Sequence, residues 1–284
     1  MEKIAVVTDT GSNLSFAQAK ELGIYLLPLQ ITIDETTYQD TLEISTQDIY
    51  NELANGKMPK TSMAAYQKIY DLFEELKKDY DTIFAVPLTN GLSTNASTMQ
   101  SIARELEMNV HVIDMYATCA LEKHVAIWSK KLVDEHKSSE EILKIIQPAI
   151  DESNSLILVK NLQHLKRGGR LTPMAAALAG LLKIYPVLHI NKSTEGRIDV
   201  LNKVRTEKRA DAYAIDKIMD DIDIQHTHIY IIHSNFLEGA DHFKKCFIEK
   251  GVPEQNIHID YISSVIAVHT GLGCIAIQYI REEN

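Results

Sequence analysis

The sequence predicts an α/β protein of two domains, the first of them built on a parallel sheet. Its 284 residues exceed what one small core needs and suit two domains that share an interface. Short apolar runs alternate with helical patterns through the first half, which is typical of parallel strands joined by helical crossovers. With 45% hydrophobic and 24% charged residues, the chain has an ordinary globular composition and enough apolar side chains for a sizeable core.

The first half shows this alternation most clearly. Residues 4–7 are an apolar run that ends in the polar loop 8–13, and a helical pattern follows over residues 14–22. The same order recurs as a strand at 83–86, a helix at 93–106, a strand at 110–113 and a helix at 120–133. Ligands of open parallel sheets collect beyond the carboxyl ends of the strands, so we expect the loops after residues 7 and 86 to share a site.

The second half is predicted to be another α/β unit. A helix at 139–150 begins at Ser138 or Ser139 and has acidic residues in its first turn, where they complement the positive helix end. A boundary near residues 151–155 divides the chain into predicted domains 1–153 and 154–284. Further strands are predicted at 156–159, 185–190, 197–204, 229–232, 257–261 and 274–280. Helices are predicted between some of them, at 206–219 and 238–250. The pattern leaves the direction of these strands open.

Charge and composition exclude several classes of protein. Lys and Arg total 29 against 39 Asp and Glu, a net charge of -10, which is the wrong sign for a nucleic-acid surface. The first residues turn polar too soon for a secretory signal, and no apolar run approaches the roughly 20 residues that span a bilayer. We therefore expect a cytoplasmic protein. The three cysteines, Cys119, Cys246 and Cys274, are far apart, which is typical of reduced thiols.

The loop at residues 90–95 combines polar side chains with the start of a predicted helix. It supplies the hydroxyls of Ser93 and Thr94, a flexible glycine and the unpaired amides of the helix end. This combination suits an anion such as a carboxylate. The alternative interpretation is that Ser93 or a neighbour only caps its helix.

A second hydroxyl pair, Thr61 and Ser62, precedes a helix predicted at 65–76. Because hydroxyl side chains favour helix starts, capping alone also explains this pair.

Residues 165–172 place two glycines among three cations, Lys166, Arg167 and Arg170. Backbone and guanidinium groups in such a loop can surround an anion. A tight turn with solvated charges is the alternative. The loop is not a Walker motif, and the sequence contains no other Gly-x-x-x-x-Gly-Lys-Ser/Thr segment, so no ATP site is visible.

His269 follows the apolar residues 265–268 and begins the segment His-Thr-Gly-Leu-Gly. It could donate a hydrogen bond to a carboxylate, or be a structural histidine that caps its turn. His226 and His228 look like a metal-binding pair, but no Cys, Asp or Glu lies at ligand spacing around them. We therefore expect no metal site.

Asp9, Ser93 and His269 also suggest an enzyme, a Ser-His-Asp hydrolase acting on acyl esters. The nucleophile of such enzymes commonly lies in Gly-x-Ser-x-Gly directly after a strand. Residues 91–95 lack the second glycine, and residues 88–92 separate the serine from the predicted strand. A hydrolase is therefore the secondary interpretation.

Four short segments occur in the order found in one known family. Residues 7–14 resemble its Thr-Asp-Ser-x-x-Asp-Leu start, with Asn13 in place of aspartate, and residues 60–62 match its Lys-Thr-Ser segment. Residues 165–170 are similar to its Leu-x-x-Gly-Gly-Arg segment and residues 204–206 to its Val-Arg-Thr segment. Over essentially the whole chain, the sequence resembles the DegV family, whose characterised function is the fatty-acid-binding subunit of bacterial fatty acid kinase.

This resemblance implies a two-domain DegV-like fold, with an N-terminal Rossmann-like parallel-sheet domain, a C-terminal α/β domain and an acyl tunnel between them. Thr61, Ser93 and His269 would hold the fatty-acid carboxylate, and Arg205 would face the mouth of the site. Four more residues complete the predicted ligand-binding set: Asp9, Ser62, Thr94 and Arg170.

The resemblance also implies partners. A separate kinase subunit carrying ATP would phosphorylate the bound long-chain fatty acid, and the acyl-phosphate would pass to phospholipid synthesis. The chain itself would be a bacterial, cytoplasmic, monomeric carrier with no catalytic residue, metal or cofactor, and any membrane contact would be transient.

Two segments depart from the family pattern. In residues 91–96 the serine of Gly-Leu-Ser-Gly-Thr-Tyr is kept, but the following glycine and tyrosine are replaced, and Leu272 replaces the proline of His-Thr-Gly-Pro-Gly. These changes bear on acyl preference and affinity. The altered Thr94, Asn95 and Ala96 also leave open a third class, a regulatory or scaffold protein that has lost lipid binding.

The physics of acyl binding suits a carrier. A tail of about sixteen carbons gains on the order of 12 kcal/mol on burial, at roughly 0.8 kcal/mol per methylene. Ordering the tail and desolvating the carboxylate offset part of this gain, so the head group needs three or four hydrogen bonds. The small residues at 174–182 could line a narrow tunnel, although a plain core helix also explains them.

Overall fold

The computed structural model describes residues 2–181 and 183–282. The strands in these ranges are β1 (Ile4–Asp9), β2 (Tyr25–Leu27), β3 (Gln30–Ile33), β4 (Thr36–Gln39), β5 (Lys60–Ser62), β6 (Thr82–Val86), β7 (Asn109–Val112), β8 (Asn154–Leu158), β9 (Tyr185–Ile190), β10 (Asp199–Val204), β11 (Thr227–His233), β12 (Ile257–Tyr261) and β13 (Ile275–Arg281). The α-helices are α1 (Phe16–Leu22), α2 (Thr46–Ala54), α3 (Tyr66–Leu76), α4 (Asn95–Glu105), α5 (Ala120–Asp134), α6 (Ser139–Glu152), α7 (Leu162–Arg167), α8 (Pro173–Leu178), α9 (Glu207–Asp221), α10 (Leu237–Glu249) and α11 (Ser264–Thr270). Within these ranges, no helix is long and apolar enough to cross a lipid bilayer.

A four-stranded parallel sheet in the order β2-β1-β6-β7 forms the centre of the first portion of the chain. All residues of β1 and β6 are buried, because this parallel sheet is covered on both faces. Successive residues point to opposite faces: Val6 packs into the core with α5 and α6, and Val7 packs into the core on the other side. The predicted parallel sheet is confirmed.

The second portion contains a six-stranded mixed sheet in the order β10-β9-β8-β13-β11-β12. β13 runs antiparallel to its neighbours β8 and β11, whereas β11 and β12 are parallel. One face of this sheet packs on α9 and α10 through residues such as Leu156 and Ile231. The opposite face carries Ile157 and Ile232, which belong to the same core cluster as Val7 of the first portion. The two sheets therefore share an apolar core.

The α/β fold class is confirmed: a parallel sheet lies in the N-terminal region, and a second sheet with its helices lies in the C-terminal region. α6 ends at Glu152 and β8 begins at Asn154. The division into domains 1–153 and 154–284 stays a prediction, and residues 1, 283 and 284 lie outside the described ranges.

The interpretation that the hydroxyl pair in residues 60–62 caps the following helix is wrong. These residues form β5, which pairs with β3 in a three-stranded antiparallel sheet of order β4-β3-β5, so that Thr61 lies opposite Ile31. α3 begins after its N-cap residue Ala65, which makes no side-chain capping bond. Backbone pairing with β3, rather than helix capping, therefore positions the hydroxyls of Thr61 and Ser62.

The small-residue segment 174–182 is mostly α8 and the turn after it. Ala175 and Leu178 are buried, whereas Met174 and Leu181 are about half exposed. Leu182 lies outside the described residues. The described part of this segment contributes no residue to the candidate pocket or to the cavity beyond it. The structure therefore favours core and surface packing over tunnel lining.

Two turns touch where the two portions meet. A Cβ atom on Gly91 would overlap the carbonyl group of Gly196, and a Cβ atom on Gly196 would overlap Thr89 Oγ1. Gly196 also has a φ of +69°, which favours glycine. The turn that precedes Ser93 is therefore held directly against the turn that precedes β10.

Candidate functional site

A pocket of about 380 Å³ lies at the junction of the two portions. Six of the predicted ligand-binding residues line it: Thr61, Ser62, Ser93, Thr94, Arg170 and His269. Apolar side chains from both portions form much of the remaining wall, among them Leu29, Leu88, Ile198 and Val265. A polar end on an apolar body is the usual form of a small-molecule site.

Thr61 and His269 make the central contact of the polar end. Thr61 Oγ1 lies 2.7 Å from His269 Nε2, so the hydroxyl and the ring share a hydrogen bond. Thr61 is on β5, and His269 is in the last turn of α11, which packs against β5 and α7. The interpretation that His269 caps its own turn is wrong, because the ring bonds a side chain of another element.

His269 is neutral in this pocket. Burial lowers the pKa of its imidazole to about 3, and the positive charge of Arg170 acts in the same direction. The backbone of Gly168 lies beside the buried Nδ1 atom, outside hydrogen-bond geometry, and opposes the shift only in part. A neutral ring carries one N–H and one acceptor nitrogen, so it can relay a hydrogen bond through Thr61.

We expect His269 to show no titration between about pH 5 and about pH 8, where an ordinary histidine changes its charge. The pKa of about 3 leaves the ring uncharged throughout this range. NMR of the ring protons against pH in the ligand-free protein measures this. Arg170→Gln removes the second cause of the shift and should raise the pKa, with burial still holding it below 6.5. A midpoint near 6.5 in the native protein would contradict this expectation, because the ring would then change its charge within this range.

Ser93 lies in the loop between β6 and α4, and the buried Asp9 fixes the shape of this loop. Asp9 Oδ2 accepts hydrogen bonds from the Leu88 N–H at 2.9 Å and from the Asn95 side-chain amide at 2.7 Å. Asp9 Oδ1 accepts from the Gly11 N–H at 2.8 Å. The prediction that Asp9 binds the ligand is corrected: its carboxyl is fully buried, its oxygens are occupied, and it does not line the pocket.

Asn95 connects the two loops of the polar end, a role that the sequence analysis missed. Its side-chain oxygen accepts a 3.3 Å hydrogen bond from the Ala64 N–H after β5, while its side-chain nitrogen donates to Asp9. Its backbone N–H donates to Ser93 Oγ at 3.2 Å, so the capping interpretation of Ser93 is confirmed in part. An asparagine at a helix start is usually a cap, and the sequence offers no sign of the bridge.

Glu122 shares the buried space of Asp9. Burial, followed by the charge of Asp9, raises the pKa of Glu122 well above its ordinary value. Burial also raises the pKa of Asp9, although hydrogen bonds from Leu88, Gly11, Glu122 and Asn95 oppose this. We infer that the pair holds one proton, on Glu122, and that Asp9 carries the charge that binds the loop amides.

The glycine-rich loop contributes one cation to the pocket. α7 ends at Arg167, Gly169 has a φ of +73°, and Arg170 lines the pocket while its Nη1 donates to the Gly168 carbonyl at 2.6 Å. Lys166 and Arg167 are exposed. The interpretation as a solvated turn therefore fits Lys166 and Arg167, whereas anion binding by Arg170 stays a prediction.

A small apolar cavity of about 30 Å³ continues from the pocket into the shared core. Leu92, Ile198, Ile266 and Thr270 border both spaces. The remaining wall is mainly apolar and includes Ile157 and other residues of the six-stranded sheet. This route is apolar but narrow, so an acyl chain fills it only when side chains move.

The geometry does not support a hydrolase. His269 Nε2 is bonded to Thr61 rather than to Ser93, and the Asp9 carboxylate is bonded to loop amides rather than to a histidine. A catalytic triad needs a continuous serine, histidine and acid chain of hydrogen bonds. These three residues do not form one.

The histidine pair near β11 has partners of another kind. His226 Nδ1 lies 2.8 Å from Asp223, and His228 Nδ1 lies 3.1 Å from His258 Nε2. In the part of the chain that the structure describes, no group of three or more His, Cys, Asp or Glu side chains could hold a metal ion.

Comparison with known proteins places this architecture in a family. The family model described as uncharacterised protein, DegV family, matches residues 3–282. A DegV domain-containing protein of Halalkalibacterium halodurans is 31% identical over 289 residues, which cover 100% of both chains. The structure of a fatty acid binding DegV family protein from Streptococcus agalactiae has a TM-score of 0.91 at 29% identity and covers 100% of both chains. DegV from Bacillus subtilis, described as a fatty acid binding protein, has a TM-score of 0.87 at 26% identity and covers 99% of this chain and 100% of its own.

The fold and the site define an α/β protein with a candidate pocket between two sheet-containing portions, and hydroxyls and a neutral histidine form one end of that pocket. The chain belongs to the DegV family, and the resemblance carried by its short motifs is confirmed.

Proposed function

We propose that the chain binds one long-chain fatty acid and holds its carboxylate at Thr61, Ser93 and His269. The observation that carries this proposal is the 2.7 Å contact between Thr61 and the neutral His269 at the polar end of an otherwise largely apolar pocket. The family members from Streptococcus agalactiae and Bacillus subtilis, described as fatty acid binding, support it. Hydroxyl donors suit a buried carboxylate because they add hydrogen bonds without adding a further charge that has to be desolvated.

The donors act in series in this proposal. When Nε2 of His269 carries the ring proton, it donates to Thr61 Oγ1, and the Thr61 hydroxyl hydrogen turns to the carboxylate. Ser93 Oγ accepts the first N–H of α4, so its own hydrogen is available to the ligand. Thr94 and Ser62 add hydroxyls to the pocket lining, and Arg170 adds positive charge.

The tail follows the apolar cavity into the core that the two portions share. Tail burial supplies most of the binding free energy, at roughly 0.8 kcal/mol per methylene. Because this route is narrow, the length and saturation of the acyl chain determine how far the isoleucine-rich wall must move.

We further propose that the chain is a carrier without catalytic activity of its own. A separate ATP-dependent kinase subunit would form the acyl-phosphate on the presented carboxylate, for use in phospholipid synthesis. The lack of a Walker loop in the sequence supports a phosphoryl donor held by the partner. Arg205 is exposed between β10 and α9, outside the pocket lining, and is proposed to meet the phosphate or the kinase. A cytoplasmic, monomeric protein with only transient membrane contact fits this role.

Native mass spectrometry before and after denaturing extraction tests lipid binding. We expect purified protein to carry one fatty acid per chain, or to take up one from added oleate. A chain that carries no lipid and binds none contradicts the proposal, and a melting temperature unchanged across a fatty-acid series would indicate a scaffold protein. The carrier role is tested by adding ATP and the kinase subunit of the same bacterium to the chain loaded with fatty acid. If no acyl-phosphate forms, only the carrier role is contradicted.

A further inference from the structure

A second pocket, of about 430 Å³, lies on the face of the six-stranded sheet that α9 and α10 cover. It forms where β8 ends and where α9 and α10 begin. Among the described residues, none lines both this pocket and the candidate fatty-acid pocket. The volume is in the range of about 300–1,000 Å³ that is usual for small-molecule sites. The second pocket is therefore a separate place for a ligand.

Aromatic residues form part of its wall: Tyr185, Phe236 and Phe243. The ring of Phe236 already holds a cation, because Lys160 Nζ lies 4.8 Å from the ring centroid. The same ammonium contacts the Glu207 carboxylate. A cation over an aromatic face is attracted by the ring electrons, so this wall binds an ammonium group within the chain itself.

The charges of the lining favour a cation. The lining contains three carboxylates, from Glu207, Asp211 and Glu238, and one lysine, Lys160. Glu207 and Glu238 lie in the first turns of α9 and α10, where they already complement the positive helix ends. An anionic ligand would meet these carboxylates, so the helix starts do not form an anion site.

Two carboxylates of this pocket, those of Glu238 and Asp211, lack a direct partner in the described ranges, and Asp211 is the less exposed of the two. It is partly buried, and no hydrogen bond or ion pair joins it to another residue in the described ranges. Burial raises its pKa, although the nearby charges of His242 and Lys160 oppose the shift. A partly desolvated carboxylate gains more from a cationic partner than an exposed one does.

We propose that this second pocket binds a small organic cation, a primary amine with an aromatic or aliphatic body. The ammonium group is held by Asp211, and the body packs against Phe236, Phe243 and Tyr185. The cavity, the excess of carboxylates and the cation already seated on Phe236 all support this class of ligand.

Two probes of similar shape and opposite charge, phenethylamine and hydrocinnamate, test the proposal by NMR titration of the full chain. We expect phenethylamine to bind at least about tenfold more tightly than hydrocinnamate. Binding should be the same with and without saturating oleate, because the two pockets share no lining residue. This measurement is independent of whether oleate itself binds.

Asp211→Asn should weaken phenethylamine binding by about tenfold or more, since it removes the charged partner of the ammonium group. Phe236→Leu should weaken it to a smaller extent, and Asp220→Asn, an exposed carboxylate on the same helix, should leave it unchanged. No binding of phenethylamine, equal binding of both probes, an Asp211→Asn variant that binds normally, or displacement by oleate would each overturn the proposal.

Discussion

A protein that carries both Thr61→Val and Ser93→Ala is expected to bind oleate more than about a hundredfold more weakly than the native chain. Each hydroxyl lost removes a hydrogen bond to a charged group, worth about 1.5–3 kcal/mol, which is roughly tenfold to a hundredfold in Kd. Valine keeps the shape of threonine, so the pocket keeps its volume. Displacement of a fluorescent fatty acid measures the affinity of both proteins.

Thr37→Val is the matched control for this pair. Thr37 lies on the same three-stranded sheet as Thr61 and is exposed. Among the described residues, its hydroxyl bonds only Thr32 Oγ1, at 2.8 Å. The affinity of the Thr37→Val variant for oleate should equal that of the native chain. A folded double variant with native affinity would place the head group elsewhere.

Asp9→Ala is expected to lower the free energy of unfolding by about 3 kcal/mol or more, because buried donors left without an acceptor cost about 1–3 kcal/mol each. The substitution removes the acceptor of the Leu88 N–H, the Gly11 N–H and the Asn95 side-chain amide. It should also weaken oleate binding, since the loop that carries Ser93 loses its support. Urea unfolding followed by circular dichroism measures the stability.

Glu122→Gln separates this role from a general intolerance of change at a buried acid. Glu122 keeps its proton, because burial and the charge of Asp9 raise its pKa. A neutral amide of similar shape should therefore cost less than about 1 kcal/mol. Equal losses of stability for Asp9→Ala and Glu122→Gln would contradict this protonation and indicate that the site tolerates no change at either acid.

The strands of the first sheet could be predicted because residues 4–7 and 83–86 are continuous apolar runs, as buried parallel strands require. The direction of β13 relative to its neighbouring strands could not be predicted. Its apolar run is the same whether it pairs parallel or antiparallel, and its partners β8 and β11 are distant in sequence. The strand at residues 60–62 could not be predicted either, because a hydroxyl pair just before a helix is compatible with a cap as well as with a short strand.

The predictable part of the site is the set of side chains that line the pocket. Thr61, Ser93 and His269 stand in short motifs, although only the fold brings Thr61 next to a histidine 208 positions away. The burial of Asp9 could not be predicted, because an acid after a strand has the same sequence pattern whether it faces a pocket or the protein interior. Its partners are mainly backbone amides, which leave no trace in the residue types.

The contact between Gly91 and Gly196 is made by main-chain atoms. A side chain at position 91 would therefore have to push the main chain of the neighbouring turn away, and no rotamer change could relieve the overlap. Because Gly91 lines the candidate pocket and precedes Ser93 by two residues, such a shift would also change the pocket wall. Variation at the apolar lining residues does not meet this restriction, so the preference for different ligands is expected to be easier to alter there.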